Sequence, residues 1–156
     1  MTDQKQYLTQ QKYDELQKEL DLLISVRRPE IANQLEYARS LGDLSENAEY
    51  QQARQAQGEV ESRIKYLVTL LKSVEIVVLH HSDSVEVGST VTIKKKGDEE
   101  NKTFQIVGSE EADMALGRIS LNSPLGTALM GKKKGEVFTL ITPAGKKIEY
   151  TIIKIA

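Results

Sequence analysis

Residues 42–47 read Gly-Asp-Leu-Ser-Glu-Asn and lie midway between two stretches in which apolar residues recur at intervals of three and four. The first stripe comprises Tyr13, Leu16, Leu20, Leu23, Ile31, Leu35 and Ala38, and the second Ala53, Ala56, Val60, Ile64, Leu67, Leu71 and Val74. Such spacing is typical of helices that pack along a coiled-coil seam. The numbers of matching positions add to 87 (13 and 74, 20 and 67, 31 and 56), which places the turn at 43–44. The pattern predicts an antiparallel helical hairpin with its tip at 42–47.

One feature interrupts the first stripe. Arg27 occupies a position that should face Val60, and Pro29 follows two residues later. Because a proline inside a helix removes a backbone hydrogen bond, we expect a local irregularity near Arg27–Pro29. Toward the tip the stripe uses Ala38, Ala53 and Ala56, so the hairpin should be thin there.

The second half of the chain has the period of β-strands rather than helices. Strand-like runs are predicted at 74–80, 90–94, 103–107, 137–141 and 148–155. Ser123-Pro124 has the form of a helix N-terminus, and Gly131 that of a helix stop. The sequence thus predicts an α+β protein, in which a long N-terminal antiparallel helical hairpin (coiled coil, residues 1–76) precedes a small β-sheet domain with one short helix (residues 77–156).

Composition excludes several functional classes. The 156 residues contain no cysteine, which removes disulfide scaffolds, thiol nucleophiles and cysteine-based zinc sites. With 21 basic and 23 acidic residues the net charge is -2, unlike a general nucleic-acid coat. No apolar run is long enough to cross a membrane. We therefore expect a cytoplasmic protein without a membrane partner.

The predicted tip carries two carboxylates, Asp43 and Glu46, and two interpretations stay open. Asp43 could be the N-cap of the second helix, with Glu46 closing a capping box. Alternatively, the pair could contribute to a Mg²⁺ site that a partner completes, since Mg²⁺ prefers hard oxygen ligands. Arg39 and Arg54 flank the tip as solvated surface charge or as phosphate contacts. Nothing in the chain has the pattern of a self-sufficient active site, so we do not expect an enzyme.

The sequence resembles the bacterial transcript-cleavage factors of the Gre family over essentially its whole length. The resemblance is carried by the segments 26–31, 42–50, 63–64, 106–108, 111–113, 119–120, 122–125 and 128–131, together with Gly58. It implies that the C-terminal domain has an FKBP-like fold and docks on the rim of bacterial RNA polymerase. The hairpin would then enter the secondary channel of the polymerase.

The resemblance also implies residue roles. Asp43 and Glu46 match the acidic pair that helps to hold a second Mg²⁺ in the polymerase active site, where the nascent RNA 3′ end of a backtracked complex is cleaved. Arg39 and Arg54 fall where the family contacts the extruded RNA. The loop expected to touch the polymerase rim comprises Leu121, Asn122, Ser123 and Pro124. No metal or cofactor of its own is expected in the free protein, which should be monomeric.

Two other functions compete with transcript cleavage. An inhibitory Gre-like protein would occupy the same channel without promoting cleavage, and altered acidity of the tip would mark it. A chaperone or scaffold would grip clients with an apolar tip. The observed tip contains only Leu44 as an apolar side chain of any size, which disfavours the scaffold.

Overall fold

A computed structural model describes residues 5–43, 46–78 and 82–156. Backbone contacts divide the chain into two compact units. Among the described residues, one unit is Gln11–Ser73, called here the hairpin unit, and the other combines residues 5–10 with Val74–Ala156 and is called the sheet unit. The sequence analysis placed all of residues 1–76 in the hairpin domain. In the structure, residues 5–10 group with the sheet unit instead.

Three α-helices build the hairpin unit: α1 (Gln10–Leu22), α2 (Arg28–Ser40) and α3 (Ala48–Ser73). Their buried side chains are Leu16, Leu20, Ile31, Leu35, Ala38, Ala53, Ile64, Leu67 and Leu70. Eight of these belong to the predicted stripes. The exception is Leu70, which is buried where the stripe predicted Leu71. At the end of α3 the buried position is therefore shifted by one residue from the predicted stripe. The helical hairpin is otherwise confirmed.

A π-helical turn (Leu23–Arg27) separates α1 from α2. It lies directly before Pro29, whose missing N–H and bulky ring disturb the preceding helical turn. The wider π-turn accommodates the proline, and the N–H of Arg28 donates to the carbonyl of Leu23, five residues back. The irregularity predicted at this place is therefore confirmed.

The sheet unit contains a five-stranded sheet whose spatial order is β5-β4-β3-β7-β6. The strands are β3 (Thr90–Lys95), β4 (Asn101–Val107), β5 (Arg118–Ser120), β6 (Val137–Ile141) and β7 (Lys147–Ile155). Neighbours are antiparallel except β4 and β5. One short helix, α4 (Pro124–Leu129), packs on the face that carries the core. The α+β class is confirmed, but the sequence analysis did not predict the short strand β5.

A second, two-stranded sheet was not predicted. Strand β1 (Tyr7–Leu8) pairs in parallel with β2 (Glu75–Ile76), which is the observed part of the strand predicted at 74–80; residues 79–80 of that strand lie outside the described chain. Thr9 then donates two hydrogen bonds to the Glu111 carboxylate, 2.9 Å from its amide and 2.7 Å from its hydroxyl. These bonds attach the N-terminal segment to the sheet unit.

Among the described residues, no helix combines the length and apolarity that a membrane crossing requires.

Candidate functional site

The hairpin tip begins where α2 ends. The N–H of Leu41 donates to the carbonyl of Ala38 (3.2 Å), and that of Gly42 donates to the carbonyl of Arg39 (3.3 Å). Gly42 has φ +107°, a backbone conformation that side chains disfavour. A Cβ at this position would meet nothing within 4 Å, so the backbone conformation alone favours glycine. The glycine ends α2 and turns the chain into the acidic segment.

Asn47 closes the tip on the other side. Its Oδ1 accepts a hydrogen bond from the N–H of Tyr50 (3.1 Å), which makes Asn47 the N-cap of α3. Its Nδ2 donates to the carbonyl of Ala38 (2.7 Å), which lies in the last turn of α2 and also accepts the N–H of Leu41. A single side chain therefore caps one helix and ties it to the other.

The position of Asn47 corrects the capping-box interpretation of the tip. Because α3 begins at Ala48, the N-cap is Asn47 and the third helical position is Tyr50. Asp43 therefore precedes the cap by four residues, and Glu46 lies outside the helix. The sequence carried a signal for this arrangement, since asparagine is among the best N-cap residues, but the Asp43-x-x-Glu46 spacing matched a capping box more closely.

Both acidic side chains of the tip are exposed. Asp43 follows Gly42 directly, and Glu46 directly precedes the N-cap residue Asn47. Leu44 and Ser45, between them, lie outside the described residues. Two carboxylates supply hard oxygen ligands suited to Mg²⁺, but fewer than its usual coordination shell. Across the described chain, no three His, Cys, Asp or Glu side chains form a group suited to a metal ion.

The predicted RNA contacts, Arg39 and Arg54, are both exposed on the hairpin. Arg39 lies in the last turn of α2, where a cation also favours the helix C-terminus. Arg54 donates from Nη1 to Oε1 of Gln57 (2.9 Å), one turn further along α3. Arg54 follows the start of α3 by six residues, about 9 Å along the helix axis. The two cations therefore lie on opposite arms of the hairpin.

Two ion pairs that the sequence analysis did not predict brace the hairpin on either side of the π-turn. Arg28 donates to both oxygens of Glu61 (2.8 and 2.9 Å), and Arg63 donates to both oxygens of Glu19 (2.7 and 2.9 Å). The hydrogen bonds that Arg63 donates lower the pKa of Glu19, and the hydrogen bonds that Glu61 accepts raise the pKa of Arg28. Since these side chains are 38–47% exposed, the pairs orient the two arms more than they stabilise them.

The predicted docking loop divides into supporting and exposed residues. Ser123 is the N-cap of α4, accepting from the N–H of Gly126 (3.0 Å), and the N–H of Leu121 donates to the carbonyl of Val107 (2.9 Å). Asn122 and Pro124 are exposed, and Asn122 donates from Nδ2 to the Ser109 hydroxyl (3.2 Å). The loop is thus held from within while two of its four residues face solvent.

An apolar groove of about 650 Å³ adjoins this loop. Ser123, Pro124 and Leu125 form one wall, and the segment Leu140–Pro143 contributes to the lining. Met114 also lines the groove and is 70% exposed. A groove of this size and character is suited to receiving apolar side chains. The sequence analysis found the loop but not the groove, because the lining comes from four separate segments.

Comparison with known proteins establishes the class. The family model described as "Transcription elongation factor, N-terminal" matches residues 6–76, and "Transcription elongation factor, GreA/GreB, C-term" matches residues 80–156. The chain belongs to the GreA/GreB family of transcription elongation factors, which confirms the resemblance seen in the sequence.

Within that family the chain is GreA-like. It is 44% identical over 158 residues to the transcription elongation factor GreA of Leuconostoc mesenteroides, covering 99% of both chains. It is 47% identical over 150 residues to GreA of Pelobacter propionicus, covering 95% of this chain and 94% of the relative. Among solved structures, GreA factor homolog 1 of Thermus thermophilus aligns with a TM-score of 0.45 and 27% identity, over 98% of this chain and 99% of that one.

Proposed function

We propose that this elongation factor binds bacterial RNA polymerase and stimulates the polymerase's own Mg²⁺-dependent cleavage of the nascent RNA 3′ end in backtracked complexes. The observation that carries the proposal is the state of the tip. Asp43 and Glu46 are exposed, and the N-cap of α3 is Asn47 rather than either carboxylate. In this proposal the factor supplies metal ligands, and the polymerase active site catalyses the hydrolysis of the RNA.

The carboxylates suit this role because they complete a site that is incomplete without a partner. Mg²⁺ in the polymerase active site supplies charge neutralisation at the phosphate and an activated water. Asp43 and Glu46 contribute oxygen ligands and accept hydrogen bonds from that water, which orients it for attack.

The dimensions of the hairpin support insertion into a narrow channel. Helix α3 has 26 residues and is therefore about 39 Å long. Ala38 and Ala53 are buried in the seam nearest the tip, and such small side chains let two helices approach closely. This end contributes little apolar burial, so its length is better explained by reach than by stability.

Two further contacts complete the proposal. Arg39 and Arg54 contact phosphates of the extruded RNA, as guanidinium groups do well. Asn122 and Pro124 contact the polymerase rim beside the apolar groove, while Leu121 and Ser123 hold the loop in shape. The factor itself carries no resident cofactor, and Mg²⁺ belongs to the polymerase.

The proposal is tested by RNA cleavage in a stalled, backtracked complex. Native factor is compared with Asp43→Asn and Glu46→Gln, and Glu36→Gln serves as a matched control because Glu36 is an exposed carboxylate on α2. We expect both tip variants to bind polymerase as the native factor does and to lose at least about 100-fold in stimulated cleavage. The control should retain full stimulation.

Other outcomes decide against the proposal. Tip variants that cleave as fast as the native factor would show that the carboxylates are not used. Native factor that binds but blocks cleavage would establish the inhibitory alternative. Failure to bind polymerase would reject the proposed partner.

A further inference from the structure

Tyr37 is an exposed aromatic residue close to the tip. It lies on α2 one turn before the helix ends, and 60% of it is exposed. Within residues 5–43, 46–78 and 82–156, no other ring or cation contacts its ring. The face of an exposed tyrosine ring is apolar and is suited to stacking against another planar group.

A shallow groove beside Tyr37 offers further contacts. The small side chains of Ala53 and Ala56 contribute to its lining, together with the amides of Gln34 and Gln52 and the Glu49 carboxylate. Amide groups supply both hydrogen-bond donors and acceptors, which match the edges of nucleobases. A planar ring next to such amides is a combination that binds unstacked bases of single-stranded nucleic acid.

The charge near Tyr37 suits a contact through a base, in addition to the phosphate contacts proposed for Arg39 and Arg54. Residues 36–54 contain four acidic side chains, Glu36, Asp43, Glu46 and Glu49, and only two basic ones, Arg39 and Arg54. A net acidic surface attracts a phosphate backbone weakly, whereas stacking on an aromatic ring does not depend on opposite charge. Stacking on Tyr37 therefore adds an RNA contact that the net acidic charge of this segment does not weaken.

We propose that Tyr37 is a positioning residue that stacks on a displaced nucleotide of the extruded RNA, with the groove of Gln34 and Gln52 beside the base edge. This inference rests on the proposed function, because it requires the tip to lie near the RNA 3′ end. Stacking there holds the displaced strand next to Asp43 and Glu46.

The test uses backtracked complexes whose displaced 3′ nucleotide is 2-aminopurine, a fluorescent base that is quenched on stacking. Ca²⁺ replaces Mg²⁺ so that the RNA stays intact during the fluorescence measurement. Native factor and Tyr37→Phe should quench the fluorescence, and Tyr37→Leu should not. Tyr66→Leu is the matched control, since Tyr66 is an exposed tyrosine on α3 far from the tip.

The same variants are then compared in Mg²⁺ at subsaturating factor. We expect Tyr37→Leu to slow cleavage about five- to tenfold, and Tyr37→Phe and Tyr66→Leu to match the native factor. Leucine is a good helix former, so Tyr37→Leu should leave α2 intact.

Three results would overturn the inference. The first is that the native factor does not quench the fluorescence. The second is that Tyr37→Leu quenches and cleaves as the native factor does. The third is that Tyr37→Leu binds polymerase without extruded RNA more weakly than the native factor, which would indicate that Tyr37 contacts the polymerase itself. Quenching is scored independently of cleavage. A factor that quenches through Tyr37 but does not accelerate cleavage would therefore support this inference and contradict the proposed function.

Discussion

The sheet core and the hairpin tip differ in what holds them together. In the sheet core, side chains such as Val91, Ile106 and Leu129 are completely buried, and the free energy of folding comes from apolar area. Near the tip the buried seam residues of the described chain are the small Ala38 and Ala53, with Tyr50 partly buried beside them, and hydrogen bonds of Asn47 join the two helices. This difference indicates that the tip is organised to present side chains to a partner. The buried apolar core of the sheet unit supplies more of the folding free energy than the tip does.

The largest effect is expected from Leu129→Ala in the sheet core. Leu129 is 0% exposed, so the substitution removes buried methyl groups and leaves a cavity that costs about 2–5 kcal/mol. Denaturant unfolding of the purified protein measures the loss. Ile141→Ala is the control because Ile141 is 60% exposed, and its effect should stay within about 0.5 kcal/mol. Equal losses in the two variants would contradict the described core.

Asn47→Ala tests the order at the tip. It removes the cap of α3 and the bond to the Ala38 carbonyl, and should destabilise the hairpin by about 0.5–2 kcal/mol. Amide hydrogen exchange should accelerate at Tyr50, whose N–H loses its acceptor. Asn33→Ala, an exposed position in the middle of α2, should leave that exchange rate unchanged. Unchanged exchange at Tyr50 in Asn47→Ala would show that the cap is not formed.

Gly58→Ala should stabilise the hairpin. Gly58 lies inside α3, and a Cβ there would meet nothing within 4 Å. Alanine is better than glycine in a helix interior by up to about 1 kcal/mol. The thermal midpoint should rise, whereas Gly108→Ala should lower it, because its Cβ would lie against the backbone oxygen of Tyr7. A lower midpoint for Gly58→Ala would mean that this face of α3 is not open.

The smallest effect concerns acid stability. Hydrogen bonding to Arg63 lowers the pKa of Glu19 from its ordinary value of 4.5. The pair therefore contributes stability above pH 4.5 that is lost as the pH falls through the lowered pKa. Glu19→Gln should weaken the acid dependence of unfolding below that pH, by less than about 1 kcal/mol because the pair is exposed. Unfolding is measured between about pH 3 and pH 6, and an equal acid dependence in Glu19→Gln and the native protein would contradict the described pair.

Sequence patterns predicted the regular parts of the molecule. The two apolar stripes fixed the hairpin because their spacing and their symmetry about residues 43–44 agree. Pro29 indicated the irregular turn, since the loss of an N–H is a local property. Four strands of the main sheet and the short helix followed from alternation and from Ser123-Pro124.

The parts that sequence could not predict depend on distant partners. Strand β1 has only two residues, and it forms because β2 pairs with it. The paired residues Tyr7 and Glu75 are 68 positions apart in the sequence. The apolar groove beside Pro124 draws its lining from separate segments. At the tip the residue types predicted the acidic pair, but which residue caps α3 depended on where the helix begins.

The most direct test of the central claim is the Mg²⁺ dependence of RNA cleavage in a backtracked complex saturated with factor. If Asp43 and Glu46 supply ligands, the native factor should lower the Mg²⁺ concentration for half-maximal cleavage at least about tenfold relative to the variant Asp43→Asn/Glu46→Gln. Identical Mg²⁺ dependence for the two factors, both bound to polymerase, would contradict the claim.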